Sequence, residues 1–275
     1  MVVISGRSPY SSAFGLGAAP STALPNLQYN GGAILPNPNV ADIYVGGYWQ
    51  TGPGQSDRSY NDAFSGDIVK NPAYNSLWAQ YGVGQGSFLG STNVGCGTPS
   101  VVTDSDIQRI VLNQKMSGKF GDNPQTIYTV YLPPGTVLQT PDGPTSLDKI
   151  GGYHGSFRGP DGKPIYYAAI AYGQGNNGID FDGNPRDALS IVASHEWTEA
   201  ATDPNVSDAN RGVAGALGWY DQNYGEIGDI PMALSTDPRL RDVWSRLDGF
   251  AVQKEWSNFD GRAEIAASRL LPFVL

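Results

Sequence analysis

The stretch Asn184-Pro185-Arg186-Asp187-Ala188-Leu189-Ser190-Ile191-Val192-Ala193-Ser194-His195-Glu196-Trp197-Thr198-Glu199-Ala200-Ala201-Thr202-Asp203-Pro204 decides the fold. Asn184 supplies a side-chain oxygen for the first free backbone N–H groups of a helix, and Pro185 fits its first position, where no N–H is needed. Ala188, Leu189, Ile191 and Val192 then recur at helical spacing. Pro204 stops the helix, because proline disfavours helical backbone in the residue before it. A helix over about residues 186–202 follows.

Working outward, β-branched and aromatic runs at Thr126–Leu132 and Ile165–Tyr172 read as central strands, with another at Asp42–Trp49. Tyr60–Lys70 and Pro72–Tyr81 read as short helices. Thr103-Asp104-Ser105-Asp106 forms an N-cap cluster for a helix running from Ile107 to about Ser117. Residues 206–230 read as Gly-rich loop and Phe250–Trp256 as a last strand. Strands interleaved with helices predict an α+β domain, a mixed sheet packed against helices. No repeat or linker divides it. The expected organisation is a Gly/Ser/Pro-rich arm over residues 1–27 and a single domain over 28–275.

Composition narrows the function. Of 275 residues, 40% are hydrophobic, enough to bury a substantial core, while 36 Gly and 20 Pro imply much loop. A net charge of -9 offers no footprint for a phosphate backbone, so nucleic acid is an unexpected partner. No apolar run approaches the roughly 20 residues that span a bilayer. Cys96 is the single cysteine, which precludes an intrachain disulfide, and its setting reads as inert. Many Tyr, Gly and Asn with few charges suit a secreted or envelope protein whose export signal is absent from this chain.

Chemistry concentrates where one of only two histidines stands beside carboxylates. On a helix His195 and Glu199 lie one turn apart on one face, and Glu196 is rotated by about 100° from His195. In the H-E-x-x-H zinc hydrolases, residues at i and i+4 bind the metal, and the Glu between them takes a proton from water. Here Glu199 replaces the second histidine. By that comparison His195, Glu199 and a distant Glu226 are the metal ligands, Glu196 is the general base, and Asp229 supports a ligand from outside the metal's own shell. His154, between glycines, reads equally as a further ligand or electrophile facing the same pocket and as a turn residue. Asp203 has a local task before Pro204 and is a weaker ligand candidate. The competing reading makes His195 a hydrogen-bonded, semi-buried histidine and the carboxylates helix-capping groups. Zinc suits the donor set best, with manganese, iron or another divalent metal as alternatives. Trp197, Trp219 and Tyr220 read as core first and as pocket lining second.

Taken in order, Asn26–Gly32, Asn39–Trp49, Gly152–Ser156, Ser194–Pro204, Gly225–Asp229 and Val252–Asn258 resemble the phosphate-induced protein 1, or EXORDIUM-like, family. The blocks reach from about residue 26 to 260. The resemblance implies a zincin-like domain and a secreted protein, since plant members of the family are associated with the cell wall and growth control. It does not fix an activity. Family members usually carry more cysteines, one of them near the Tyr-His motif, where this chain has Gly152.

Two function classes follow. One is a secreted zinc-dependent hydrolase, peptidase-like, acting on peptide or a cell-wall polymer, with Glu196 drawing the proton from a metal-activated water. The other is a noncatalytic extracellular protein with a structural metal or none. A carboxylate in place of the second histidine adds negative charge and makes bound water less acidic, which weakens the catalytic case.

Overall fold

A computed structural model describes residues 24–95, 97–237 and 239–267. Most of the predicted arm, residues 1–23, and Cys96 lie outside these residues. Where the arm enters the description it already belongs to the domain, because Leu27 is buried against Ile227, Ile230 and Trp256.

The chain runs through β1 (Gln28–Tyr29), β2 (Asn39–Val45), α1 (Gly52–Ile68), α2 (Pro72–Ala79), β3 (Ser87–Val94), β4 (Val101–Thr103), α3 (Asp104–Met116), β5 (Thr126–Tyr131) and β6 (Val137–Gln139). It continues through β7 (Gly152–Arg158), β8 (Pro164–Ile170), α4 (Pro185–Thr202), α5 (Val206–Asn210), β9 (Trp219–Tyr220), α6 (Asp229–Leu234), β10 (Trp244–Leu247), β11 (Phe250–Gln253), β12 (Glu255–Ser257) and β13 (Arg262–Glu264). This is the expected α+β domain with a mixed sheet against helices.

The central sheet has the order β3-β2-β5-β8-β7. Its first four strands are parallel and β7 pairs antiparallel with β8, placing His154 opposite Ala168. One face carries Ile127, Tyr131, Ala168 and Ile170 against α1 and α4; the other carries Tyr128, Val130 and Ala169 against Ile107 and Val111 of α3. Buried on both faces, β5 reads as a continuous β-branched and aromatic run.

The helix α4 forms as the sequence predicts. The Asn184 side chain accepts from the Arg186 N–H at 3.2 Å and Pro185 occupies the first turn. Every residue from Asp187 to Thr202 is buried. Trp197 anchors it, stacking on Phe64 at 5.1 Å and donating to Thr129 Oγ1 at 2.8 Å. It is therefore core, and Trp219 packs edge-on against Tyr81 at 5.2 Å. A polar helix so deeply buried must satisfy its charges inside the protein.

Several expectations need correction. The helix predicted from Tyr60 begins eight residues earlier, at Gly52, capped by Thr51. Its glycines look like loop in sequence, yet a Cβ on Gly54 would lie 2.0 Å from the Tyr48 carbonyl oxygen, so glycine there permits close packing. The predicted strand Asp42–Trp49 ends at Val45 and continues as a short 3-10 turn over Gly47–Gln50. The predicted strand Phe250–Trp256 breaks at Lys254 into β11 and β12, which pair with different partners. The loop 206–230 contains α5 and β9 and leads into α6. His154 stands within a strand instead of a turn.

Candidate metal centre

His195, Glu196 and Glu199 project from α4 into a closed space, and all three are fully buried. Opposite them β7 presents His154, which is 2% exposed. The segment leading into α6 brings Glu226 and Asp229; β11 and β12 bring Gln253 and Glu255. Glycines make room for the assembly. A Cβ on Gly152 would lie 2.7 Å from the Ala169 carbonyl oxygen and 3.2 Å from Glu196 Oε1, and one on Gly225 would lie 2.7 Å from Asp229 Oδ2.

The donor atoms form two groups. His154, Glu196 and Glu199 each offer an atom within 4.8 Å of the others, and so do His195, Glu199 and Asp229. His154 Nδ1 stands 3.4 Å from Glu196 Oε2 and 3.4 Å from Glu199 Oε2. His195 Nε2 stands 3.2 Å from Glu199 Oε1. None of these carboxylate oxygens has a hydrogen-bond partner among the described residues, nor does either nitrogen of His154. The spacings are those of ligands around an ion: tetrahedral zinc with bonds of about 2.0–2.1 Å sets neighbouring donors about 3.3 Å apart. The buried His154, Glu196 and Glu199 group could hold a metal ion.

Without an ion the charges distort one another. Burial opposes a charged His154, yet Glu196 and Glu199 raise it to about 10. Burial likewise opposes a charged His195, which Glu199 carries up to about 10. Burial alone would raise Glu199, but the two imidazoles hold it at about 2. Glu226 and Asp229 are pushed well above the carboxylate range by burial and then by Glu199. Burial also takes Glu255 to about 8 and Asp203 to about 7. Such displacement marks a buried cluster in which carboxylates outnumber the two imidazoles that offset them.

The structure redistributes the expected roles. Asp229, not Glu226, joins His195 and Glu199. Glu226 Oε1 faces His154 Nε2 at 3.5 Å, the place of a carboxylate that orients a ligand histidine from its far side. Glu196 is not held apart from the donors but shares the His154 group. Asp203 Oδ1 accepts from the Gly218 N–H at 2.8 Å, a local task that ties the end of α4 to the following loop.

Two site residues escaped the sequence reading. Gln253 Nε2 lies 2.8 Å from His195 Nδ1, and Glu255 Oε1 accepts from Tyr74 Oη at 3.1 Å. Little in the sequence pointed to them, because Gln253 and Glu255 flank Lys254, where the predicted strand breaks in two. No protein-family model matches the chain, and no curated protein matches it.

Proposed function

We propose that the chain is a secreted or envelope metal-binding protein in which a buried divalent ion, zinc first among the choices, staples α4 to strand β7. The observation that carries this reading is the set His154 Nδ1, Glu196 Oε2 and Glu199 Oε2: three converging donors, fully buried side chains, no hydrogen-bond partners among the described residues. Leaving such groups unpaired costs several kcal/mol per charge, on the order of what a bound ion returns. An imidazole with carboxylates suits zinc, and equally manganese or iron when geometry is octahedral. Burial of the donors supports a structural role over turnover. The motif resemblance to EXORDIUM-like proteins and the low charge content support an extracellular setting.

One observation favours a second reading, a zinc-dependent hydrolase acting on peptide or a cell-wall polymer. Asp229 is the one donor of the two groups that is not fully buried. A bound divalent ion would supply Lewis acidity there. Glu196, 3.4 Å from His154, would hold the proton taken from water.

Elemental analysis of the full chain, purified without added metal or a histidine tag, tests the first reading, together with melting temperatures with and without chelator. About one or more equivalents of metal and a chelator-sensitive melt are expected; a metal-free protein that cannot be loaded, with a melt indifferent to chelator, overturns it. Turnover of a peptide and ester library that Glu196→Gln abolishes would move the conclusion to the hydrolase.

A further inference from the structure

Glu199 aims its two oxygens at different histidines. Oε1 stands 3.2 Å from His195 Nε2 and Oε2 stands 3.4 Å from His154 Nδ1. Both oxygens are buried and neither has a hydrogen-bond partner among the described residues. A carboxylate that served one ion and one histidine would leave its second oxygen to a donor group of the protein. Here each oxygen instead meets an imidazole at the separation of two ligands on one metal, about 3.3 Å for tetrahedral zinc.

The geometry points to a second cation site, formed by His195, Glu199 and Asp229, so that Glu199 bridges two divalent ions. It rests on the metal-binding reading above and extends it from one ion to a pair. The donors divide into two groups sharing Glu199 alone. Bridged ions in proteins sit about 3.5–4 Å apart, a span one carboxylate covers.

Charge supports the pair. Glu196, Glu199, Asp203, Glu226, Asp229 and Glu255 gather around two imidazoles that are neutral when they coordinate. With all six ionised, one divalent ion would offset two of the charges and a second two more. Glycines let the backbone pass close to both groups, since a Cβ on Gly228 would lie 2.4 Å from His195 Nδ1 and one on Gly225 2.7 Å from Asp229 Oδ2.

The second ion sets a condition on Gln253. Its Nε2 donates to the Gly228 carbonyl oxygen at 2.8 Å and faces His195 Nδ1 at 2.8 Å. For His195 Nε2 to coordinate, the ring proton must sit on Nδ1, which then needs an acceptor. Moving Oε1, an atom with no partner among the described residues, to that proton would meet the need and would give up the Gln253 bond to the Gly228 carbonyl oxygen.

The test strips the full chain with chelator, reloads it with zinc and removes excess by dialysis. Two equivalents per chain are expected, falling to one in Asp229→Ala, whose partly exposed position spares the core. One equivalent in the unaltered chain, or two in Asp229→Ala, overturns the pair while leaving the single-ion reading intact. No bound zinc overturns both. A readout needing no variant is the electron paramagnetic resonance of the manganese-loaded chain. Exchange-coupled spins support the bridge, and isolated ones at two equivalents refute it.

Discussion

Gly228 packs its Cα against the His195 ring so closely that a Cβ there would lie 2.4 Å from Nδ1. Its φ of -83° suits any residue, so space alone requires glycine. Gly228→Ala is expected to push the imidazole out of line with Glu199, cost about 1–3 kcal/mol as overpacking does, and weaken metal retention. In a His195→Ala background the same change should cost much less, because neighbouring sites are coupled. Chemical denaturation of the four proteins of this cycle measures the coupling; equal costs in both backgrounds would contradict the contact.

Gln253 meets the same ring at Nδ1, at 2.8 Å. Gln253→Leu roughly keeps the side-chain size but removes the amide that faces Nδ1. Partners of this kind typically contribute 10- to 100-fold in metal affinity, and a loss in that range is expected by competition with a chromophoric chelator. Unchanged affinity would mean that the ring is fixed by packing alone.

The metal-free chain should lose stability as the pH rises. Each histidine is raised to about 10 from an ordinary 6.5, so its contribution is complete below about pH 6.5 and lost as the pH climbs through 10. Glu255, raised to about 8 from 4.5, and Asp203, raised to about 7 from 3.8, act with the same sign. Glu199, lowered to about 2 from 4.5, acts oppositely, and its contribution disappears only as the pH falls through 2. Maximum stability without metal is therefore expected near about pH 4, with a steady decline to about pH 10. Coordinating groups are the deprotonated ones, so the gap between metal-loaded and stripped melting temperatures should widen with pH. Thermal melts across this range, with zinc and with chelator, check it. A stripped protein that melts identically at both ends speaks against the charge cluster.

Thr129→Val removes the acceptor of the Trp197 indole N–H without changing shape. Both residues are fully buried. An unsatisfied donor there should cost about 1–3 kcal/mol, read from denaturant midpoints. Metal content should not change, because Trp197 meets Thr129 on β5 in the middle of the sheet, while Glu199 meets His154 on the edge strand β7. Loss of metal in this variant would mean that α4 shifts as a unit.

The sequence by itself determined α4 and the spacing of its donors. Asn184, Pro185 and Pro204 act on backbone within a few residues, so capping and termination are local chemistry, and residues four apart on a helix share a face whatever surrounds them. The strands β5 and β8 were equally legible, because burial on both faces demands continuous β-branched and aromatic residues. Strand β7 was not, since Gly-Tyr-His-Gly-Ser-Phe-Arg has little intrinsic preference for strand and takes it from its ladder with β8. Only the tertiary structure decided which distant groups meet α4. It seated His154 across from Glu196 and Glu199, exchanged the expected places of Glu226 and Asp229, and drew in Gln253 from 58 residues beyond His195. Those contacts follow from how β7, β11 and the 225–229 segment pack around one helix, and no local rule of backbone or spacing encodes packing between segments so far apart in the chain.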